Sequence, residues 1–150
     1  MTRAMFVTIL GRISNIDEKA CATSKFNDVK AGTWYAPYVT WAAENGIVFG
    51  YSSAKFGPDD LVTREQMCAM LKRYIDFEGY ALPLSDNPPT FADQSRIRSW
   101  ALESVIYCQR AGLVQGKGDD RFDPTGNLTR AEASTVLERA VKGILLAIGG

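Results

Sequence analysis

Self-similarity at a fixed offset constrains this chain more than any other feature. A shift of 66 positions places Trp34 on Trp100, Val39 on Val105, Gly46 on Gly112, Gly50 on Gly116, Phe56 on Phe122, Pro58 on Pro124, and Thr63-Arg64 on Thr129-Arg130. Leu71 and Arg73 then meet Leu137 and Arg139. Upstream the offset is 65, pairing Phe26 with Phe91 and Asp28 with Asp93, so the later copy carries one extra residue before its Trp. The first residues match only the end of the pattern, because Thr2-Arg3, Leu10 and Arg12 have the spacing of Thr63-Arg64, Leu71 and Arg73. Copies of this length are supersecondary units that bury their apolar faces against one another.

Each complete copy reads as helix, loop, helix. The front helix starts near Trp34 or Trp100, and Leu102, Val105, Ile106 and Gln109 give it a mostly apolar stripe at helical spacing. Gly46 and Gly112 supply the left-handed residue just past its end, with Ile47 or Leu113 to pack back. A turn-rich stretch follows, in which Phe56 or Phe122 stands two residues before a proline. The second helix has the sharper start: Thr129 with Glu132 is a capping box, and Thr63 with Gln66 a permitted variant. These three residues, Thr63, Thr129 and Glu132, are assigned as structural caps. The stripe of the second helix recurs three times, as in Phe6, Ile9 and Leu10, Met67, Met70 and Leu71, and Ala133, Val136 and Leu137. Three such stripes point to an all-α fold with a three-helix core, and nothing in the periodicity predicts strands.

Composition removes whole classes of function. A hydrophobic content of 46% supports a real core, and 17 basic residues balance 17 acidic ones. No broad field therefore recruits nucleic acid or an anionic bilayer. With no His, the Ser-His-Asp and Cys-His nucleophile systems and every His-ligated metal site are excluded. Cys21, Cys68 and Cys108 are too far apart for a CxxC pair and read as small buried apolar residues. The loop Gly116 to Asp120 lacks the spacing of a calcium loop, and Gly116-x-Gly118 does not follow a strand, so neither metal nor cofactor is expected. Near the N-terminus Thr8 interrupts the apolar run and Gly11-Arg12 ends it early, so no export signal is read there. The apolar C-terminus from Gly143 is far shorter than the ~20 residues of a spanning helix, and no membrane insertion is expected.

The ordered lines Phe26-Asn27-Asp28-Val29, Trp34, Gly46-Ile47-Val48-Phe49-Gly50, Phe56-Gly57-Pro58 and Thr63-Arg64-Glu65-Gln66 resemble S-layer homology repeats. They return as Phe91-Ala92-Asp93, Trp100, Gly112-Leu113-Val114-Gln115-Gly116, Phe122-Asp123-Pro124 and Thr129-Arg130-Ala131-Glu132. On this resemblance, 1–15 is the end of a truncated first repeat, 24–80 and 89–143 are complete repeats, and 144–150 is a tail. The resemblance implies a pseudo-threefold, all-helical spindle around a central three-helix bundle. It also implies a non-catalytic module that anchors a larger surface protein to the bacterial cell wall, through grooves that bind anionic, often pyruvylated, wall polysaccharide. Two departures are visible: Met5 and Gln66 stand where the motif has Glu.

The residues themselves suit an anionic glycan. An arginine at the first helical position faces the positive end of the macrodipole, a disfavoured placement costing ~0.3–1 kcal/mol when exposed. Its recurrence at Arg3, Arg64 and Arg130 asks for a compensating anion. A ligand carboxylate provides one, through a bidentate guanidinium contact and the helix-end field. An internal acid such as Asp28 or Asp93 is the alternative. Trp34 and Trp100 are candidate faces for a sugar ring, or core residues at a helix start. Asp28 and Asp93 are candidate acceptors for sugar hydroxyls, or ordinary cap and turn formers. Two rival readings stand beside the anchor: a structural or protein-binding helical scaffold, and a glycosidase built on Asp28 and Asp93.

Overall fold

The computed structural model describes residues 1–21 and 23–149. Among these it contains five α-helices: α1 (Arg3–Ile13), α2 (Ala36–Glu44), α3 (Arg64–Phe77), α4 (Ser99–Arg110) and α5 (Arg130–Gly149). The described residues form no strand, only the isolated antiparallel bridges Thr2–Leu61 and Thr63–Asn127, so the expected all-α class holds. No helix among them is long and apolar enough to cross a membrane.

The chain divides into two compact units, Met1–Val62 and Thr63–Gly150. The division is offset from the sequence copies, because each unit joins the Thr-Arg helix of one copy to the front half of the next. In the first unit α1 packs on α2. Thr2 caps α1 by accepting from the Met5 amide, and Ala4, Val7, Leu10 and Gly11 are buried. Gly11 is required by the close approach, since a β-carbon there would stand 2.5 Å from Tyr38 Cδ1. The front helix starts two residues after Trp34, with Pro37 in its first turn, and ends where Gly46 adopts φ +69°. Only a residue without a β-carbon reaches that conformation at little cost. Trp41 is buried in the packing.

The second unit repeats the scheme with α3 against α4. Its capping box is complete: Thr63 Oγ1 accepts from the Gln66 amide at 3.3 Å, and the Thr63 amide donates to Gln66 Oε1 at 3.1 Å. Met67, Leu71 and Ile75 of α3 are buried, as are Val105 and Cys108 of α4. Each such aliphatic side chain contributes roughly 1.5–3 kcal/mol of apolar burial. Cys68 and Cys108 are buried free thiols, with Cys108 Sγ 3.8 Å from the Cys68 carbonyl, and burial pushes the Cys68 thiol well up. Cys21 is only half-buried. α5 opens on the second capping box, with Glu132 N donating to Thr129 Oγ1 and Thr129 N to Glu132 Oε2.

Candidate functional site

The Phe-x-Pro loop of each unit is closed by the aspartate at the start of the same copy. Asp28 accepts from the Phe56 and Gly57 amides at 2.9 and 2.8 Å, and Asp93 from the Phe122 and Asp123 amides at 2.7 and 2.8 Å. Phe26 and Phe91 lie against Phe56 and Phe122, with ring centroids 5.5 and 5.2 Å apart. Burial alone would raise the Asp28 carboxyl, but the Phe56 and Gly57 amides outweigh it and hold it below its usual range. Glu132 behaves alike: burial raises it, while the Thr129 hydrogen bonds and the Arg64 guanidinium bring it below its ordinary value. Carboxyls depressed on folding stabilise the fold fully above their unfolded values of about 4 and lose that contribution as pH falls through the lower folded ones. We expect the urea midpoint to drop steeply below about pH 4. The Asp28→Asn variant should give a flatter profile; equal slopes for the two proteins would contradict the assignment.

These loops receive the arginines. Arg3 is buried, donating from Nε to the Phe56 carbonyl and from Nη2 to the Phe49 carbonyl, both at 3.0 Å. Its guanidinium stacks between Tyr51 and Phe56, 4.6 Å from each ring centre. Desolvation lowers its pKa, only partly opposed by the charges around it. Arg64 does the same in the second unit, with Nε on the Phe122 carbonyl at 2.6 Å, Nη2 on the Gln115 carbonyl at 3.1 Å, and the Phe122 ring beneath it. Its acidic partner is Glu132, at 2.8 Å from Nη1. Asp28 and Asp93 are engaged with loop amides instead. Arg130 is exposed.

Arg64 lines a surface groove of about 270 Å³ in the second unit, together with Gln115, Lys117, Glu132, Thr135 and Arg139. Lys117 pairs with Asp123 at 2.8 Å and Arg139 donates to the Leu113 carbonyl at 3.3 Å. With Arg64 paired to Glu132 and Lys117 to Asp123, Arg139 leaves the groove one positive charge in surplus. Trp100 is not part of its lining; it lies at the surface, 48% exposed, and Trp34 is 53% exposed in the first unit. Sequence reasoning passed over Lys117 and Arg139 as groove residues. Arg139 had a signal in its repeat partner Arg73, whereas Lys117 had none, since its counterpart is Tyr51.

The profile of the S-layer homology domain matches residues 25–68 and 90–134, more than half of the chain. The chain is similar to an amylopullulanase of Thermoanaerobacterium thermosulfurigenes, 34% identical over 91% of this chain and 7% of that protein. It is 33% identical to a cell surface protein of Thermoanaerobacter kivui over 80% of this chain and 16% of that protein. With an S-layer protein of Bacillus licheniformis it shares 28% identity over 91% of its own length and 14% of the relative's. The chain thus spans a small fraction of the relatives it matches. With both matched segments falling on the two complete copies, and with bacterial S-layer and cell surface proteins among its relatives, the chain belongs to the S-layer homology domain family.

Proposed function

We propose that the chain is a non-catalytic module that holds a larger protein at the bacterial cell wall by binding an anionic, pyruvylated wall polysaccharide. The observation that carries this reading is that an amylopullulanase and an S-layer protein, unlike in name and length, share this segment. A segment common to such different proteins serves a need they share, which is placement rather than chemistry. The excess of cations in the groove around Arg64 favours an anionic polymer over a neutral one. In this reading Arg130, Trp34 and Trp100 meet the polymer directly. Arg3, Arg64, Asp28 and Asp93 shape the loops from beneath, with the outer edge of Arg64 facing the groove. Several modest contacts on one chain combine through effective concentration. Asp28 and Asp93 each hold two backbone amides of their own loop, which speaks against an acid pair for glycoside cleavage.

Retention on purified wall polymer tests the reading. Each exposed tryptophan stacked on a sugar is worth ~1 kcal/mol, about fivefold in affinity. Replacing both Trp34 and Trp100 by Ala should weaken retention on the order of thirtyfold with an unchanged melting temperature. Mild-acid removal of the ketals should abolish it. Undiminished retention of the double variant, or indifference to ketal removal, rejects the corresponding half of the proposal.

A further inference from the structure

Cys68 and Cys108 serve neither the groove nor the loops, and they stand on the two helices that pack against each other in the second unit. Both side chains are fully buried. Cys108 Sγ lies 3.8 Å from the Cys68 carbonyl, and the two thiols come close enough for one to hydrogen-bond to the other. Packing alone does not call for sulfur at these places. The repeat aligns Cys68 with Val7 of α1 and Cys108 with Ala42 of α2, both fully buried in the first unit. Cysteine thus replaces an ordinary apolar residue on two helices at once, at positions 40 residues apart in the chain that meet in the fold.

Such a pair is inert while the thiols stay reduced and the helices stay docked. The attacking species in disulfide exchange is the thiolate, and burial, together with the neighbouring Cys108, holds the Cys68 thiol well above its usual range. Neither sulfur is open to an oxidant in solvent. The pair therefore reacts as the unit forms, or when α4 lifts from α3. Once joined, the sulfurs are as closed to a reductant as they were to the oxidant.

We propose that Cys68 and Cys108 form a disulfide that locks α3 to α4, with a low-molecular-weight disulfide as the oxidant. One cysteine, as its thiolate, attacks a sulfur of the small disulfide, which forms a mixed disulfide and releases one small thiolate. The second cysteine attacks the protein sulfur of that mixed bond and releases the other. Two protein thiols are oxidised, one small disulfide is reduced to two thiols, and the two protons pass from the cysteines to them. A cell-surface setting favours the product, because such bonds persist outside the cytosol. That setting rests on the anchoring reading above, whereas the bond itself does not.

The test uses the full chain carrying Cys21→Ser, so that only this pair of thiols remains. After refolding from urea in a buffer of oxidised and reduced glutathione, peptide mapping without reductant should find the Cys68 and Cys108 peptides joined, with the loss of two hydrogens. The bond closes a loop of about 40 residues, and the oxidised chain should melt about 10 °C above the reduced one. The same chain with Cys68→Val and Cys108→Ala, the residues of the first unit, should fold and melt alike in both buffers. Two thiols that stay fully alkylatable in denaturant after oxidising refolding, a bond between two copies, or an oxidised chain that melts no higher than the reduced one would overturn the proposal. The readout is the sulfur bond and not retention on wall polymer, so this proposal and the anchoring reading fail separately.

Discussion

Arg64→Ala is expected to lower the unfolding free energy by about 3–5 kcal/mol, because it removes one partner from a buried, hydrogen-bonded ion pair. The side chain is 6% exposed and satisfies the Phe122 carbonyl, the Gln115 carbonyl and Glu132 at once. Deleting it leaves two carbonyls and a carboxylate facing a cavity above the Phe122 ring, and each unsatisfied group carries a desolvation cost of about 1–3 kcal/mol. Arg64→Lys should recover only a minor part, since an ammonium cannot reproduce the planar fork that spans acceptors on separate segments. Urea unfolding followed by circular dichroism measures both. A loss under about 1 kcal/mol for the alanine variant would mean that water re-satisfies the loop and that the guanidinium is not structural. The result bears on function as well: weaker wall binding by an Arg64 variant reports on the groove only where the fold is demonstrably intact.

The second large effect lies at the junction of α3 and α4. Glu65 is fully buried, yet its Oε1 accepts from Arg98 Nη1 at 2.6 Å and its Oε2 from the Arg98 amide at 3.1 Å. The first turn of α3 thereby caps the start of α4. Arg98 is half exposed and its charge correspondingly screened, so Arg98→Ala should cost ~2–3 kcal/mol rather than the upper range for a buried pair. The damage arises from the carboxylate left behind, so adding Glu65→Gln to Arg98→Ala should restore at least half of the loss. A double-mutant cycle in urea with coupling below about 0.5 kcal/mol would show that the pair acts independently.

Local signals were legible in the sequence. Thr63 with Gln66 and Thr129 with Glu132 name their partners three residues away, and both boxes form with those partners. Gly46 and Gly112 announce the ends of the front helices in the same way and both take φ +69°. The sequence presents the arginines as groups in search of an anion, whereas Arg3 donates to two carbonyls and stacks on Tyr51 and Phe56, and Arg64 donates to two carbonyls and to Glu132. Their partners are 46 to 68 residues distant, and backbone carbonyls carry no mark in the sequence. Asp28 and Asp93 offered a cap or a sugar contact, whereas their amide donors lie 28 to 30 residues on, in a loop whose path depends on tertiary packing. Nothing local marks Glu65 for burial, because burial of a carboxylate depends on a partner, here Arg98, 33 residues away.

The offset between sequence copy and compact unit governs how such modules can be recombined. A crossover placed in the linkers, where copies look separable on paper, parts α1 and α3 from the loops that clasp Arg3 and Arg64. A join between Val62 and Thr63, though it falls inside a copy, leaves α1 with α2 and α3 with α4. Chimaeras exchanged at that point should fold, and swapped linkers should not.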